Sequence, residues 1–264
     1  MKHRPRKRFG QNFLHDQSVI QRIVDAIDPR PGQHLVEIGP GQGALTRPLL
    51  ERAGALEVIE LDRDLIEPLR LLDNANARLT VYQADALRFD FGQLVREGRL
   101  RVVGNLPYNI STPLLFHLLD QAAVIEDMHF MLQKEVVERM AAQPGGGDWG
   151  RLSVMIQYRC AVTPLFVVRP GAFHPPPKVD SMIVRLTPYA TPPVTVTEPA
   201  LLSKVVNQAF SMRRKTLRNA LKGWVSPEQW TALAIDSRRR PETLSLAEFA
   251  VITNCVRDPR SSNA

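Results

Sequence analysis

The chain has 264 residues, 44% of them hydrophobic. That suits one ordinary domain plus a small one, and it contains no run of the roughly 20 apolar residues that a membrane span needs. Its net charge of +7 is uneven: five cations and no acid at residues 1–8, a net +6 over residues 199–264, and an acidic excess between them, a pattern that favours a polyanionic partner.

The basic N-terminus (Lys2, Arg4, Arg6, Lys7, Arg8) is followed by no apolar signal-peptide core, so a soluble, cytoplasmic protein is expected. Cys160 and Cys255 lack paired-thiol spacing and the six histidines lack metal-ligand spacing, which argues against a disulfide scaffold or a metal site. Phe9 to Leu14 reads as a packed arm before the first helix. Strand signals at 33–38, 55–60, 78–83, 100–104 and 127–132 then alternate with amphipathic stretches at 18–27, 44–53, 63–72 and 111–120. Such alternation predicts a parallel sheet with helices on both faces.

The first strand runs into Glu37-Ile38-Gly39-Pro40-Gly41-Gln42-Gly43, where glycines let the backbone turn and approach a ligand closely. Glu60 closes the second strand, where a carboxylate can accept both ribose hydroxyls. Asp85 follows the third, where an acid can accept from an adenine amino group. All three fall at the carboxyl edge, where ligands sit in open α/β sheets. S-adenosylmethionine and a dinucleotide both fit these strands. Against the dinucleotide stand the lack of room for a second nucleotide-binding half and the motif that follows.

Gly104-Asn105-Leu106-Pro107-Tyr108-Asn109 ends the fourth strand. An adenine amine is a poor nucleophile because its lone pair is delocalised into the ring. Two acceptors aimed at its hydrogens, the Asn105 side-chain oxygen and the Leu106 carbonyl, can localise that pair. Pro107 stiffens the turn and offers no competing N–H. Tyr108 can stack on an extruded base. By itself the tetrapeptide is also compatible with an ordinary turn.

A helix at 134–142 and a glycine-rich loop at 144–148 lead to strands at 161–168 and 179–186. Phe173, on a proline-stiffened linker, reads either as the second face of a base sandwich with Tyr108 or as a core plug. His174 is given no role. Four prolines between Pro188 and Pro199 mark a boundary, dividing a catalytic domain (1–190) from a small all-helical one (199–264). In the latter, Arg213, Arg214, Lys215, Arg218 and Lys222 have spacings that can share one helix face, a surface for RNA phosphates. Arg238, Arg239 and Arg240 are candidates to extend it.

Together these segments resemble the ribosomal RNA adenine dimethyltransferases, most closely the KsgA-type branch acting on the small subunit. The resemblance rests on Phe9 to Leu14, Glu37 to Thr46, Val58 to Asp64, Asp85, Asn105 to Asn109, Phe173 to Ser181, Gln208 to Asn219, Ile235-Asp236 and Arg240 to Ser245. It implies an α/β, Rossmann-like methyltransferase sheet of seven strands, the last antiparallel. It also implies S-adenosylmethionine as donor, S-adenosylhomocysteine as product, and no metal. The implied cofactor contacts are Asn12, Leu14, Gly39, Glu60, Asp85 and Asn105. Those to the target base are Asn105, Leu106, Pro107, Tyr108 and Phe173. The implied reaction is dimethylation of two adjacent adenosines in the 3′-terminal hairpin loop of small-subunit RNA, by a monomer acting on a late assembly particle. Competing readings are a large-subunit methyltransferase of the antibiotic-resistance type, a DNA adenine methyltransferase, and an assembly factor whose binding outweighs its catalysis.

Overall fold

A computed structural model describes residues 12–75 and 77–258; the basic segment 1–8 and Phe9 to Gln11 lie outside them. The described residues fall into two compact units, one within Met1–Val137 and Thr163–Pro188, the other within Glu138–Val162 and Tyr189–Ala264.

In chain order the elements up to the glycine-rich loop are β1 (Phe13–Leu14), α1 (Gln17–Ile27), β2 (His34–Ile38), α2 (Thr46–Ala53), β3 (Ala55–Glu60), α3 (Arg63–Arg70), β4 (Arg78–Gln83), β5 (Leu100–Asn105), α4 (Ser111–Asp120), β6 (Ile125–Gln133) and α5 (Lys134–Ala141). After α6 (Arg151–Arg159) come β7 (Cys160–Val168), β8 (Phe173–His174) and β9 (Ser181–Pro188). Seven strands form one sheet in the order β4-β3-β2-β5-β6-β9-β7. β2 pairs in parallel with both β3 and β5, β3 with β4, and β5 with β6. β9, the last strand of the chain, runs antiparallel to β6. This is the expected methyltransferase sheet.

The central strands β2, β3 and β5 are buried along nearly their whole length, as strands covered on both faces must be. α1 shows how the covering helices form. Asp16 accepts hydrogen bonds from the Ser18 and Val19 N–H groups at its start, and Ile20, Ile23, Val24 and Ile27 bury one face. Each buried aliphatic side chain of this kind contributes roughly 1.5–3 kcal/mol. The open end of α1 is closed by Arg101 on β5. Its guanidinium donates to the carbonyls of Ile27 (2.8 Å) and Asp28 (3.3 Å), to Gln33 Oε1 (2.8 Å) and to both Asp127 oxygens (3.0 and 2.9 Å).

The second unit contains α6 and, beyond β9, α7 (Pro199–Ser211), α8 (Leu217–Ala220), α9 (Pro227–Leu233) and α10 (Leu246–Cys255). Its tail is helical, as expected, but the unit also takes in Glu138–Val162, which lies on the other side of the boundary expected at the prolines. Trp149 is buried, and its Nε1 donates to the Leu244 carbonyl (2.9 Å). Capping boxes at Ser226/Gln229 and Ser245/Glu248 start α9 and α10.

The five tail cations do not share one helix face. α7 ends at Ser211, the chain turns through Met212 to Lys215, and Thr216 is extended. Arg213, Arg214 and Lys215 therefore sit on a turn, Arg218 on α8 and Lys222 just after it, all exposed. The first N–H groups of α8 are taken by the Arg239 and Ser237 carbonyls (2.8 and 2.9 Å), so α8 cannot continue α7. Arg238 and Arg239 are also engaged, with Asp236 and Glu248 respectively, and do not extend the cationic surface freely.

Arg101→Met should destabilise the chain by about 2–4 kcal/mol, because it leaves the half-buried Asp127 carboxylate without its cation and the Ile27 and Asp28 carbonyls without their donor. Denaturant unfolding checks this, and Arg101→Met with Asp127→Leu should recover part of the loss.

Candidate active site

Parallel pairing places the carboxyl ends of β2, β3, β4 and β5 along one edge of the sheet. A cavity of about 320 Å³ opens there. Its wall is built from the Asn12–Leu14 arm, the Glu37–Leu45 loop, Ile59 to Leu61, Ala84 to Leu87 and Asn105 to Ile110.

The loop after β2 passes close beneath the arm. Gly41 has φ +58°, and a Cβ there would lie 3.2 Å from the Phe13 ring. Its N–H donates to Glu60 Oε2 (3.2 Å), while Glu60 Oε1 accepts from the Asp62 N–H (2.8 Å). One carboxylate thus ties the loop of β2 to the end of β3. Each oxygen keeps a further lone pair for a ligand hydroxyl. Burial pushes the Glu60 carboxyl above the usual range, against the pull of these N–H groups. Asp85 Oδ1 accepts from the Leu87 N–H (3.0 Å), which holds the turn after β4.

Glu37, at the end of β2, is 2% exposed. Its Oε2 accepts a hydrogen bond from Thr46 Oγ1 (2.6 Å), the buried first residue of α2. Burial, and secondarily the neighbouring Glu60, push its carboxyl up to about 8, with the Thr46 bond opposing. Among the described residues, Glu37, Glu60 and Asp85 are the acids of the cavity wall, and none of those lining it is Lys, Arg or His.

Asn105 closes β5. Its Nδ2 donates to the Asn12 carbonyl (3.2 Å), which leaves the amide oxygen as the acceptor. The Leu106 N–H donates to the Met131 carbonyl (3.2 Å), and the Pro107 carbonyl accepts from the Ile110 N–H (3.2 Å), so the turn is fixed at both ends. The Tyr108 hydroxyl shares a 2.6 Å hydrogen bond with Ser181 Oγ at the start of β9. Burial raises the Tyr108 hydroxyl's pKa, so the ring remains neutral at physiological pH.

All the residues expected to hold the cofactor (Asn12, Leu14, Gly39, Glu60, Asp85 and Asn105) line this cavity, and so do Leu106, Pro107 and Tyr108. Phe173 does not. It is 3% exposed and packed in the hydrophobic core, and β8 pairs with β1 through Leu14↔Phe173. Three contributors escaped the sequence reading. Glu37 was quoted only as part of the glycine loop and Ser181 only as the end of a matching segment. Gly104 was quoted for its place before Asn105; a Cβ there would lie 2.5 Å from the Ile38 carbonyl oxygen, so only glycine lets the ends of β5 and β2 meet.

A sheet edge that offers a glycine loop and three carboxyl groups, with no cation among the described residues of its wall, suits a nucleoside carrying positive charge. With the Asn-Leu-Pro-Tyr turn beside it, the class defined is that of the S-adenosylmethionine-dependent methyltransferases. Residues 2–258 match the family model described as ribosomal RNA adenine dimethylase, and the chain belongs to that family. It is 64% identical over 253 residues, covering 96% of this chain and 94% of the relative, to ribosomal RNA small subunit methyltransferase A of Pseudomonas aeruginosa. The protein of the same name from Nitrosococcus oceani is 59% identical over 95% of this chain and 96% of its own length. Among solved structures, a dimethyladenosine transferase from Plasmodium falciparum matches with a TM-score of 0.73 and 26% identity, covering 91% of this chain and 95% of that one. The 23S rRNA methyltransferase ErmE matches with a TM-score of 0.72 and 25% identity, covering 93% and 99%.

Gly104→Ala should lower both cofactor affinity and methyl transfer at least about tenfold, since a misplacement near 1 Å at a reacting centre costs that or more. Titration calorimetry and a methyl-incorporation assay on the folded variant check it.

Proposed function

We propose that this chain dimethylates the exocyclic amines of two adjacent adenosines in the 3′-terminal hairpin loop of small-subunit ribosomal RNA. S-adenosylmethionine, when bound, supplies the methyl group on a sulfonium. The protein's part is to bind it, extrude one base and hold that base's amine in line. Glu60 would accept from the ribose and Asp85 from the adenine of the cofactor, with Gly39 and Leu14 against its body.

The Asn105 amide carries this reading. Its donor end is occupied by the arm at Asn12, so its oxygen is turned toward acceptance. With the Leu106 carbonyl it would take both hydrogens of the target amine and draw the nitrogen toward tetrahedral geometry. Positive charge then develops on that nitrogen between fixed acceptors, which is where preorganised dipoles gain most. Tyr108, anchored through Ser181, supplies a face for the extruded base.

The choice of the small subunit is supported by relatives of that name at 64% and 59% identity. The large-subunit reading has a specific observation in its favour, the fold match to ErmE, but at only 25% identity. We take a late small-subunit assembly particle as the substrate, and a cytoplasmic monomer as the working form. Arg213, Arg214, Lys215, Arg218 and Lys222 would then bind phosphates, setting register without reading bases. Among the described residues no helix is long and apolar enough to cross a membrane.

Incubating the chain with labelled cofactor and under-methylated small subunits, then mapping the label, tests the reaction. Label should appear on two adjacent loop adenosines, and label on large-subunit RNA alone would overturn the reading. Asn105→Ala should lower the rate about a hundredfold or more without unfolding the chain. Replacing Arg213, Arg214 and Lys215 by Ala should weaken RNA binding and reduce its salt slope by about two to three. An unchanged slope would remove these residues from the RNA surface.

A further inference from the structure

The cavity wall holds more acid than ribose and adenine recognition requires. Glu60 and Asp85 stand where those two groups would be bound. Glu37 is left over, the most enclosed of the three, with the Thr46 hydroxyl as its hydrogen-bond partner. Among the described residues, the charged groups facing the same space are Glu60 from β3 and Asp85 from the turn after β4; α2 contributes the neutral Thr46 hydroxyl, and β5 and the described part of the arm the neutral Asn105 and Asn12. A carboxylate so enclosed, without a cation and beside another acid, is poorly solvated as an anion and keeps its proton. Burial accordingly holds the Glu37 carboxyl up to about 8.

The two ligands this site must handle differ by one unit of charge. S-adenosylmethionine carries a sulfonium, an ammonium and a carboxylate; S-adenosylhomocysteine has a neutral thioether in place of the sulfonium. The nucleoside and amino-acid ends are common to both.

We infer that Glu37 is a charge-matching residue: it gives up its proton when the sulfonium donor enters and retains it when the thioether product occupies the site. The inference rests on the cavity being the cofactor site. Its consequence is a proton-linked preference for donor over product. The free site holds the proton below about 8, and a nearby positive charge lowers that value, so donor binding releases a proton throughout the interval between. Donor affinity therefore rises with pH across this window, by up to about tenfold per unit, and levels off above it. Product affinity stays flatter. Proton exchange at Glu60 and Asp85 cancels in the comparison, because both ligands present them with the same groups.

Titration calorimetry of the full chain with each ligand, near neutral pH and in buffers of different ionisation heat, counts the protons released. Donor binding should release more than product binding, by an amount approaching about one proton. A donor analogue with an ammonium in place of the sulfonium should behave as the donor does. Glu37→Gln, nearly isosteric, should bind both ligands with the difference gone and the donor's pH dependence flattened. Equal proton counts in the unmodified chain would overturn the inference, as would a difference that persists in folded Glu37→Gln. Should that variant fail to fold, the unmodified chain's two counts still decide. Failure of the donor to bind at all would instead sink the cofactor reading itself.

Discussion

The parallel pairing of β2 with β3 on one side and β5 on the other is the constraint on which the site depends. It brings Ile38 level with Ile59 and Glu37 level with Val103, so the chain leaves all three strands at nearly the same height. The Gly39 N–H continues the ladder by donating to the Ile59 carbonyl (2.9 Å). Gly104 lets β5 close on the Ile38 carbonyl. An antiparallel neighbour on either side would send Glu60 or Asn105 to the opposite edge, and no rotamer could bring it back. Residues far apart in sequence become one site because the strands share a direction.

That convergence also decides which nucleotide fits. A dinucleotide site presents its pyrophosphate to the N-terminus of the helix after the first strand. Here that helix begins with Thr46, whose hydroxyl is committed to the buried Glu37. An anion brought to the cavity here would meet the Glu37 carboxyl group, and among the described residues lining the cavity there is no lysine or arginine to offset it. A cationic ligand meets the same wall favourably. The glycine loop and the ribose-binding acid after the second strand are shared between the two classes of protein; what sets this site apart is the buried Glu37 beside the loop.

The sheet was legible in the sequence because its strands are short apolar runs set between amphipathic helices, and burial on both faces leaves that mark on nearly every residue of the central strands β2, β3 and β5. Gly39, Glu60, Asp85 and Asn105 were legible because each sits at or just past a strand end, whereas Asn12 and Leu14 came only with the family resemblance. What escaped depends on long-range partners. The β1–β8 pair joins two-residue strands 160 positions apart, too short to leave a period. α6 was missed because Ser153, Val154, Met155, Ile156 and Tyr158 are buried nearly in succession, which leaves no clear amphipathic spacing. The shared helix face expected for the tail cations failed at Thr216, an extended residue inside otherwise helical spacing. Phe173 and Tyr108 looked alike as aromatics near prolines, and only the packing separates a core residue from one on the cavity wall.

The cavity can select a donor and one base, but it has little means of selecting a ribosomal subunit. A dimethyladenosine transferase and a 23S rRNA methyltransferase match this fold almost equally, at TM-scores of 0.73 and 0.72. If the chemistry at an adenine amine is common to both, substrate choice must lie in residues that never touch the reacting atoms. Exposed cations on turns are suited to that task. Phosphate contacts fix register through many weak, salt-sensitive interactions, and a turn can change its length and sequence without moving Glu60, Asp85 or Asn105. On the proposed reading, the buried edge of the sheet would hold the reaction constant, while exposed turns such as Met212 to Lys215 would set which RNA is brought to it.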